Sequence, residues 1–480
     1  MGKLNHLKPE RVFHYFEEIS AIPRGSGNRK GISSYCMEFA AAHGLRALCD
    51  DADNVVIFKN ASTGYEDAEP VILQGHLDMV CQKTEDSPID FEKDGLKLYV
   101  DGDFVKADGT TLGADNGIAV AMVLAILEDD TLSHPPIEAV FTSDEEIGMI
   151  GAMQFCMDNL KGKRMMNLDA EDPTTLTVSC AGGSDFKMTI PLKREIIRGK
   201  RVVLRIKGLK GGHSGMEINT GRVNANMLAG RILHYAQKIS DYKLISIDGG
   251  DKGNAIPFSC IAQLVVQEPE PFAAQIKEYL EVIKQEIADR EEGFSPTVEV
   301  MEEDDFAVMD AHAQEKVMFT LLSAPNGVVD MSVTIKNLVE TSLNLGILKT
   351  EEEDVLIYFS LRSNKRSAMA FLEERLLQLA THLDCKAETF GHYPPWEFRE
   401  DSELQKLYQE TYLEQYGSEP KVVAIHAGLE CGVFASQIEG LDCIAIGPET
   451  LAVHTVEERL SVSSTAATYE LILKLLGKCH

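Results

Sequence analysis

Val71-Ile72-Leu73-Gln74-Gly75-His76-Leu77-Asp78, followed after a polar insert by Thr111-Leu112-Gly113-Ala114-Asp115-Asn116-Gly117, decides how the rest of the chain is read. Val71, Ile72 and Leu73 form a short apolar run with β-branched residues, the pattern of a strand buried on both faces. Such a strand delivers His76 to its C-terminal end, where open α/β sheets build their sites. Asp78, two residues on, falls on the same side of an extended segment and is placed to accept the second N–H of the imidazole. Asp115 lies in a glycine-flanked loop ahead of the apolar helical run Ile118 to Leu127. The glycines let the backbone turn that carboxylate inward. Together these residues read as the first half of a metal site.

Outward from this stretch the texture alternates. Two helices are expected over residues 9 to 44, with Pro9 at a first helical position. Strands follow at about 54–58 and 71–75, a helix at 116–129, a strand at Ile137 to Thr142, a helix near 150–160 and a strand at Met165 to Leu168. This alternation predicts a mostly parallel sheet covered on both faces. After Cys180-Ala181-Gly182-Gly183 the strands at 185–191 and 201–207 change to period two, a helix is expected at 221–239, and similar elements run to about 391. Such strands with one-sided helices suit an α+β domain whose sheet has one open face. The α/β texture returns with a helix at 402–416, strands at 421–425 and 442–446, and a helix at 462–476. The chain therefore divides into a discontinuous catalytic domain, 1–184 and 396–480, and an inserted lid, 185–395.

A chain of 480 residues exceeds what one core usually supports, which agrees with two domains. A formal charge of −30 repels phosphate backbones and anionic lipid, so nucleic acid and membrane surfaces are excluded as partners. The acidic runs Glu302-Glu303-Asp304-Asp305 and Glu351-Glu352-Glu353-Asp354 read as solvated loops. The segment Met1-Gly2-Lys3-Leu4-Asn5-His6 has no apolar signal region, and no apolar run reaches membrane-spanning length. The 10 cysteines form no C-x-x-C pair, which suits free thiols in a reducing compartment and a cytoplasmic location.

More candidate ligands fall at the ends of later strands. Ser143-Asp144-Glu145-Glu146 follows the strand ending at Thr142, Asp169 follows Leu168, and His454 lies in the loop before the last helix. His76, Asp115, Glu146, Asp169 and His454 make a nitrogen and oxygen set that suits zinc and tolerates manganese or cobalt. These ligands exceed the usual complement of one catalytic zinc and fit two ions if one carboxylate bridges. Asp115, on its constrained loop, is the natural bridge. A water shared by such ions needs a base that is not a ligand, and one of the neighbours Glu145 and Glu146 can serve while the other binds metal.

At these residues the chain resembles the dinuclear metallopeptidases that include carboxypeptidase G, peptidase T, the carnosinases and the bacterial aminoacyl-histidine dipeptidases, the last most closely. The resemblance runs nearly the full length, through His76-Leu77-Asp78-Met79-Val80, Gly109 to Gly117, Cys180 to Gly183, Gly208-Leu209-Lys210-Gly211-Gly212-His213-Ser214-Gly215, Asn254-Ala255-Ile256-Pro257 and Ile425 to Gly432. It implies an α/β, phosphorylase/hydrolase-like zinc-peptidase domain with a mostly parallel sheet, and an inserted α+β lid through which the chain forms a homodimer. It implies one Zn2+ on His76, Asp115 and Asp169 and another on Asp115, Glu146 and His454, replaceable by Co2+ or Mn2+. Glu145 would then be the general base, with Asp78 behind His76 and a cis peptide after Asp115.

For substrate it implies that His213 reaches a carbonyl and its developing oxyanion, that Arg362 grips a C-terminal carboxylate, that Glu430 lies near a free amino group and that Asn254 supports the cleft. His426 is left without a catalytic role. Two departures from the family pattern stand out: Ser360 replaces an acidic residue two positions before Arg362, and His454 is framed by Leu451-Ala452-Val453 and Thr455. The implied reaction is hydrolysis of unblocked dipeptides, including Xaa-His and β-alanyl-histidine. The alternatives are a related N-acyl-amino-acid amidohydrolase, which has no use for an amino-group partner such as Glu430, and a non-catalytic scaffold, which would have no reason to keep ligands and base.

Overall fold

The structure is a computed structural model describing residues 3–480, so Met1 and Gly2, with the part of the N-terminal reading that rests on them, lie outside the described residues. Two compact units emerge. The first comprises the chain up to Cys180, Phe398–Ala424 and Leu429–His480; the second comprises Ala181–Glu397 and Ile425–Gly428.

The first unit is built on an eight-stranded sheet in the order Arg46–Cys49, Val55–Lys59, Ile137–Thr142, Val71–His76, Arg164–Asn167, Asp442–Ala445, Thr175–Cys180, Lys421–Ile425. Parallel pairing joins the four central strands. Val55–Lys59 pairs antiparallel with Ile137–Thr142 and with Arg46–Cys49, to which a short turn joins it, and Thr175–Cys180 meets Asp442–Ala445 antiparallel. Val71–His76 is buried along its whole length, which is why its sequence shows no alternation. Register aligns the strand ends: His76 stands beside Thr142, and Gln74 beside Val140 and Asn167. The segments carrying Glu145, Glu146 and Asp169 therefore leave the sheet at the same edge as His76.

Two helical expectations shift. Pro9 is the cap of Glu10–Ser20 rather than its first residue, because its ψ of 131° is extended. The helix near 150–160 is only Ile150–Gln154, followed by a 3₁₀ turn at Met157–Asn159. Phe155 leaves the helix in extended conformation and packs against Phe434, with ring centroids 6.2 Å apart.

The second unit is a nine-stranded sheet whose pairings are antiparallel, with Gly182–Pro191 between Asp354–Ser363 and Lys386–Tyr393. Phe186, Met188 and Ile190 alternate into its core, where residues of Ala225–Ile239, Pro269–Glu286, Ala311–Ser323 and Arg366–His382 join them. The helix expected from 221 starts at Ala225 because the Asn224 side chain caps it, accepting from the N–H groups of Asn226 and Met227. Glu302 to Asp305 are not a loop. They belong to the edge strand Thr297–Met309, where Glu303 stands opposite Lys200 and Asp305 opposite Arg198. Backbone pairing with Arg194–Ile206 holds the exposed acidic run in a ladder, where cations opposite offset its charge, and the charges protect the edge from further strand addition.

Asn224 also donates to the Asn344 side chain at 3.1 Å and to the Leu345 carbonyl at 3.0 Å. Asn224→Ala removes a helix cap and orphans buried acceptors, so the second unit is expected to lose about 2–3 kcal/mol of stability, read as an earlier urea transition. Arg198→Ala, at an exposed ion pair, is expected to leave that transition in place.

Candidate metal centre

The first unit brings His76, Asp115, Glu146, Asp169 and His454 together around the two oxygens of Asp115. His76 Nε2 lies 3.1 Å from Asp115 Oδ1 and 3.5 Å from Asp169 Oδ1. His454 Nε2 lies 3.2 Å from Asp115 Oδ2 and 3.0 Å from Glu146 Oε2. One imidazole thus faces each Asp115 oxygen, and each imidazole also lies beside one further carboxylate. Two ligand atoms on a tetrahedral zinc with bonds near 2.0–2.2 Å stand roughly 3.3–3.6 Å apart, so these spacings are those of a coordination shell. Ligand atoms of His76, Asp115 and Glu146 all lie within 4.8 Å of one another.

The electrostatics point the same way. Burial pushes the Asp169 carboxyl up to about 6, aided by the charges of Asp115 and Glu146 and opposed by His76. Burial likewise holds Glu145 well above the carboxylate range, with Asp169, Glu430 and Glu146 adding repulsion. His454 is pushed up to about 11 by its hydrogen bonds to Asp115 and Glu146. Burial works against a proton on His76, yet Asp169, Asp115 and Asp78 together raise its pKa well above the usual imidazole value. A cleft that draws protons onto its acids and imidazoles is one whose anionic charge calls for a bound cation. Charge, donor types and spacing therefore fit a pair of divalent ions.

Local sequence explains how the ligands reach this point. Gly75 lets Asn116 and Ala119 approach so closely that a Cβ would collide with both. Asn116 then accepts the His76 backbone N–H at 3.1 Å and donates to the Leu168 carbonyl at 2.8 Å, tying together the segments of His76, Asp115 and Asp169. The Asp115-Asn116 peptide is cis, as the resemblance implies. Asp144 and His454, beside or at ligand positions, adopt left-handed backbone at φ 51° and 62°. Such conformations in non-glycine residues concentrate at functional sites.

Asp78 does more than stand behind the imidazole. Its Oδ1 is 3.4 Å from His76 Nδ1, whereas its backbone carbonyl is nearer at 3.1 Å. Its carboxylate accepts from Ser26 Oγ at 2.7 Å and from the N–H groups of Glu145 at 3.0 Å and Glu146 at 3.3 Å. One side chain thus meets both the His76 imidazole and the backbone of the Glu145-Glu146 pair. Glu430 is fully buried, with Oε2 held by Gln74 and by Thr142 at 2.7 Å, while Oε1 has no partner. Burial pushes its carboxyl up to about 7.

Sequence reasoning missed Glu458 and Arg24. The Glu458 carboxylate, only 3% exposed, accepts from the N–H groups of Leu112 at 2.8, Gly113 at 3.0, Ala114 at 2.8 and Asp115 at 3.3 Å. Arg24, equally buried, takes the carbonyls of Leu77, Asp78 and Gly113. Gly113, at φ 64°, leaves room for that guanidinium. The pair clamps the Asp115 loop through its backbone, and Glu458 lies four residues from His454 on the same segment.

The substrate candidates His213, Asn254 and Arg362 belong to the second unit. His213 pairs with Ala255, and the Asn254 carbonyl accepts from the Ser214 N–H at 2.9 Å. His213 Nδ1 accepts from the N–H groups of Gly215 at 3.2 and Met216 at 3.0 Å, which leaves its proton on Nε2. Burial and the Arg362 charge lower its pKa, so it is neutral. Arg362 is 8% exposed, donates from Nη1 to the Tyr393 hydroxyl at 3.0 Å, and has an Nε–H with no acceptor. His426 is a buried residue bonded to Ser342 Oγ at 2.7 Å, and burial with the neighbouring Arg362 and His213 lowers its pKa to about 3. No helix among the described residues is long and apolar enough to cross a membrane.

Comparison with known proteins adds independent findings. The model of peptidase family M20/M25/M40 matches residues 72–478. The chain is 35% identical over 480 residues, 99% of each chain, to the cytosol non-specific dipeptidase of Escherichia coli. Its structure is similar to the crystal structure of aminoacylhistidine dipeptidase from Vibrio alginolyticus, with a TM-score of 0.93, 35% identity, and coverage of 99% of this chain and 98% of that one. It shares the fold of aminopeptidase PepT from Bacillus cereus, with a TM-score of 0.56, 15% identity and 98% coverage of both chains.

Glu458→Ala leaves four backbone N–H groups of the Asp115 loop without their acceptor. Amide hydrogen exchange over Leu112 to Asp115 is expected to accelerate by about tenfold or more, since each buried donor left unpaired costs roughly 1–3 kcal/mol. Unchanged exchange there would show that the clamp does not hold the loop.

Proposed function

The chain belongs to peptidase family M20/M25/M40, and from that premise we propose that it is a metal-dependent dipeptidase that hydrolyses unblocked dipeptides, Xaa-His among them. The observation that carries the reading is the arrangement at Asp115, whose two oxygens each face an imidazole that is itself flanked by a further carboxylate. On this reading His76, Asp115 and Asp169 hold one divalent ion and Asp115, Glu146 and His454 the other, with zinc the expected metal and cobalt or manganese able to replace it. Bound there, the ions supply Lewis acidity that lowers the pKa of water and polarises a peptide carbonyl.

The chain's own groups do the rest. Glu145, next to a ligand but outside the imidazole pairs, takes a proton from water on its carboxylate and returns it to the leaving amine. Its buried, acid-rich surroundings raise its proton affinity, as that role requires. Asp78 positions Glu145 through its backbone N–H and steadies His76. Arg362 binds the substrate's carboxylate; a buried guanidinium with an unmatched N–H is suited to a planar anion. His213, neutral with a proton on Nε2, donates to a carbonyl oxygen. Asn254 supports this group through its carbonyl. Glu430 keeps a buried acceptor without a donor, which suits the ammonium of an unblocked substrate and sets the reading apart from a deacylase.

We further propose a cytoplasmic homodimer formed through the second unit, supported by the exposure of Phe319, Leu322 and Phe371 on Ala311–Ser323 and Arg366–His382.

The test is amino acid release from β-alanyl-histidine, several α-dipeptides, a tripeptide and an N-acetyl amino acid. Cleavage confined to unblocked dipeptides, abolished by chelation and restored by zinc, cobalt or manganese, is expected. Glu145→Gln is expected to lower kcat by about 10²–10⁴-fold while metal remains bound. Cleavage of the blocked amino acid alone would move the assignment to an amidohydrolase.

A further inference from the structure

On the face of the second unit's sheet turned away from its core, Asp185, Asn254, Tyr358, Ser360, Arg362 and Tyr393 line a pocket. The ladder explains the grouping. Asp185 stands opposite Ser360 and Gly183 opposite Arg362, so Asp185, Ser360 and Arg362 share one face while Phe186, Phe359 and Leu361 point into the core. Asp185 and Arg362 are diagonal neighbours, a relation that separates residues by about 7–8 Å. Gly183 leaves this face open for the Tyr393 ring, whose hydroxyl meets Arg362 Nη1.

The pocket therefore carries a cation and an acid on one face, on adjacent strands. Ser360, which departs from the family's acidic position, does not leave the face without an acid, because Asp185 supplies one from the neighbouring strand. Asp185 is half-buried, and the Tyr358 and Ser360 hydroxyls stand close enough to stabilise its ionised form. Those hydroxyls do not exhaust the carboxylate, whose two oxygens offer about four acceptor directions. Burial raises its pKa, and the hydroxyls and Arg362 oppose that rise. An ionised carboxylate can only accept, so what it adds to the pocket is a preference for a side chain that donates. Tyr358 and Tyr393 supply flat apolar surface suited to a ring.

We propose that Asp185 is a specificity-determining residue. Its carboxylate accepts an N–H from the side chain of the substrate's C-terminal residue while Arg362 holds that residue's carboxylate, and the substrate class selected is dipeptides ending in histidine. This rests on the substrate-binding role proposed for Arg362. It supplies what the motifs lack, a residue-level reason for preferring histidine to an aliphatic residue of similar length.

Two measurements on the full chain separate this inference from the dipeptidase reading. In the first, kcat/KM is measured for Ala-His, Ala-Lys and Ala-Leu with the unmodified chain and with Asp185→Asn, which keeps the side chain's shape. The preference for Ala-His over Ala-Leu is expected to fall about tenfold or more, chiefly through KM, as loss of a hydrogen bond to a charged group predicts. A variant that loses activity on all three peptides equally, or on none, overturns the inference, as does a preference for Ala-Lys over Ala-His in the unmodified chain. In the second, calorimetry compares binding of free L-histidine and free L-leucine to both proteins. Histidine binding that weakens in Asp185→Asn supports the pocket even in a chain that cleaves no dipeptide, an outcome that sinks only the dipeptidase reading. Equal binding of the two amino acids overturns the inference whatever the activity.

Discussion

Two carboxylate oxygens of one residue, Asp115, each face an imidazole, and the first unit is arranged around holding that carboxylate where water alone would not keep it. A buried anion is costly unless positive charge and directed donors surround it. His76 and His454 face it from either side. The backbone beneath is gripped from both poles, Glu458 taking its N–H groups and Arg24 the Gly113 carbonyl. Because Glu458 and His454 lie on one segment, the clamp also links the loop of the second imidazole to the loop of the shared acid. Parallel strands in register then bring Glu145, Glu146 and Asp169 to the same edge.

The second unit meets a different demand with an antiparallel sheet. One face is closed by helices, which leaves the other free to carry polar groups in diagonal pairs. Arg362 and Asp185 are such a pair. His426, kept neutral beside Arg362, packs there without adding a competing charge. The acidic edge strand Thr297–Met309 shows the same economy, since charges that shield an edge also pair across the ladder.

The candidate ligand positions were legible because each follows a recognisable strand or glycine-bounded loop, and strand ends are where this class of sheet builds its sites. His76, Asp115, Glu146, Asp169 and His454 do converge. The backbone clamp was not legible, because Glu458 contacts residues 343 to 346 positions away, a separation at which no local spacing carries information. Asp78 was expected to serve the imidazole, yet its hydrogen bonds to the Glu145 and Glu146 backbone depend on a loop path that composition does not encode. The run Glu302 to Asp305 was misread as a loop for a related reason: the strand it pairs with, Arg194–Ile206, is remote in sequence. The face-sharing of Asp185 and Arg362 likewise exists only once the register of two strands is known.

The central claim, that Asp115 bridges two ions, is tested most directly by counting metal on the chain freed of metal and titrated with zinc or cobalt. Two ions per chain are expected, falling to none or to weak binding in Asp115→Asn and to one in Glu146→Gln, because only the bridge serves both. If Asp115→Asn loses one ion and keeps the other at unchanged affinity, or if the unmodified chain binds a single ion, Asp115 is not a bridge and the account is contradicted.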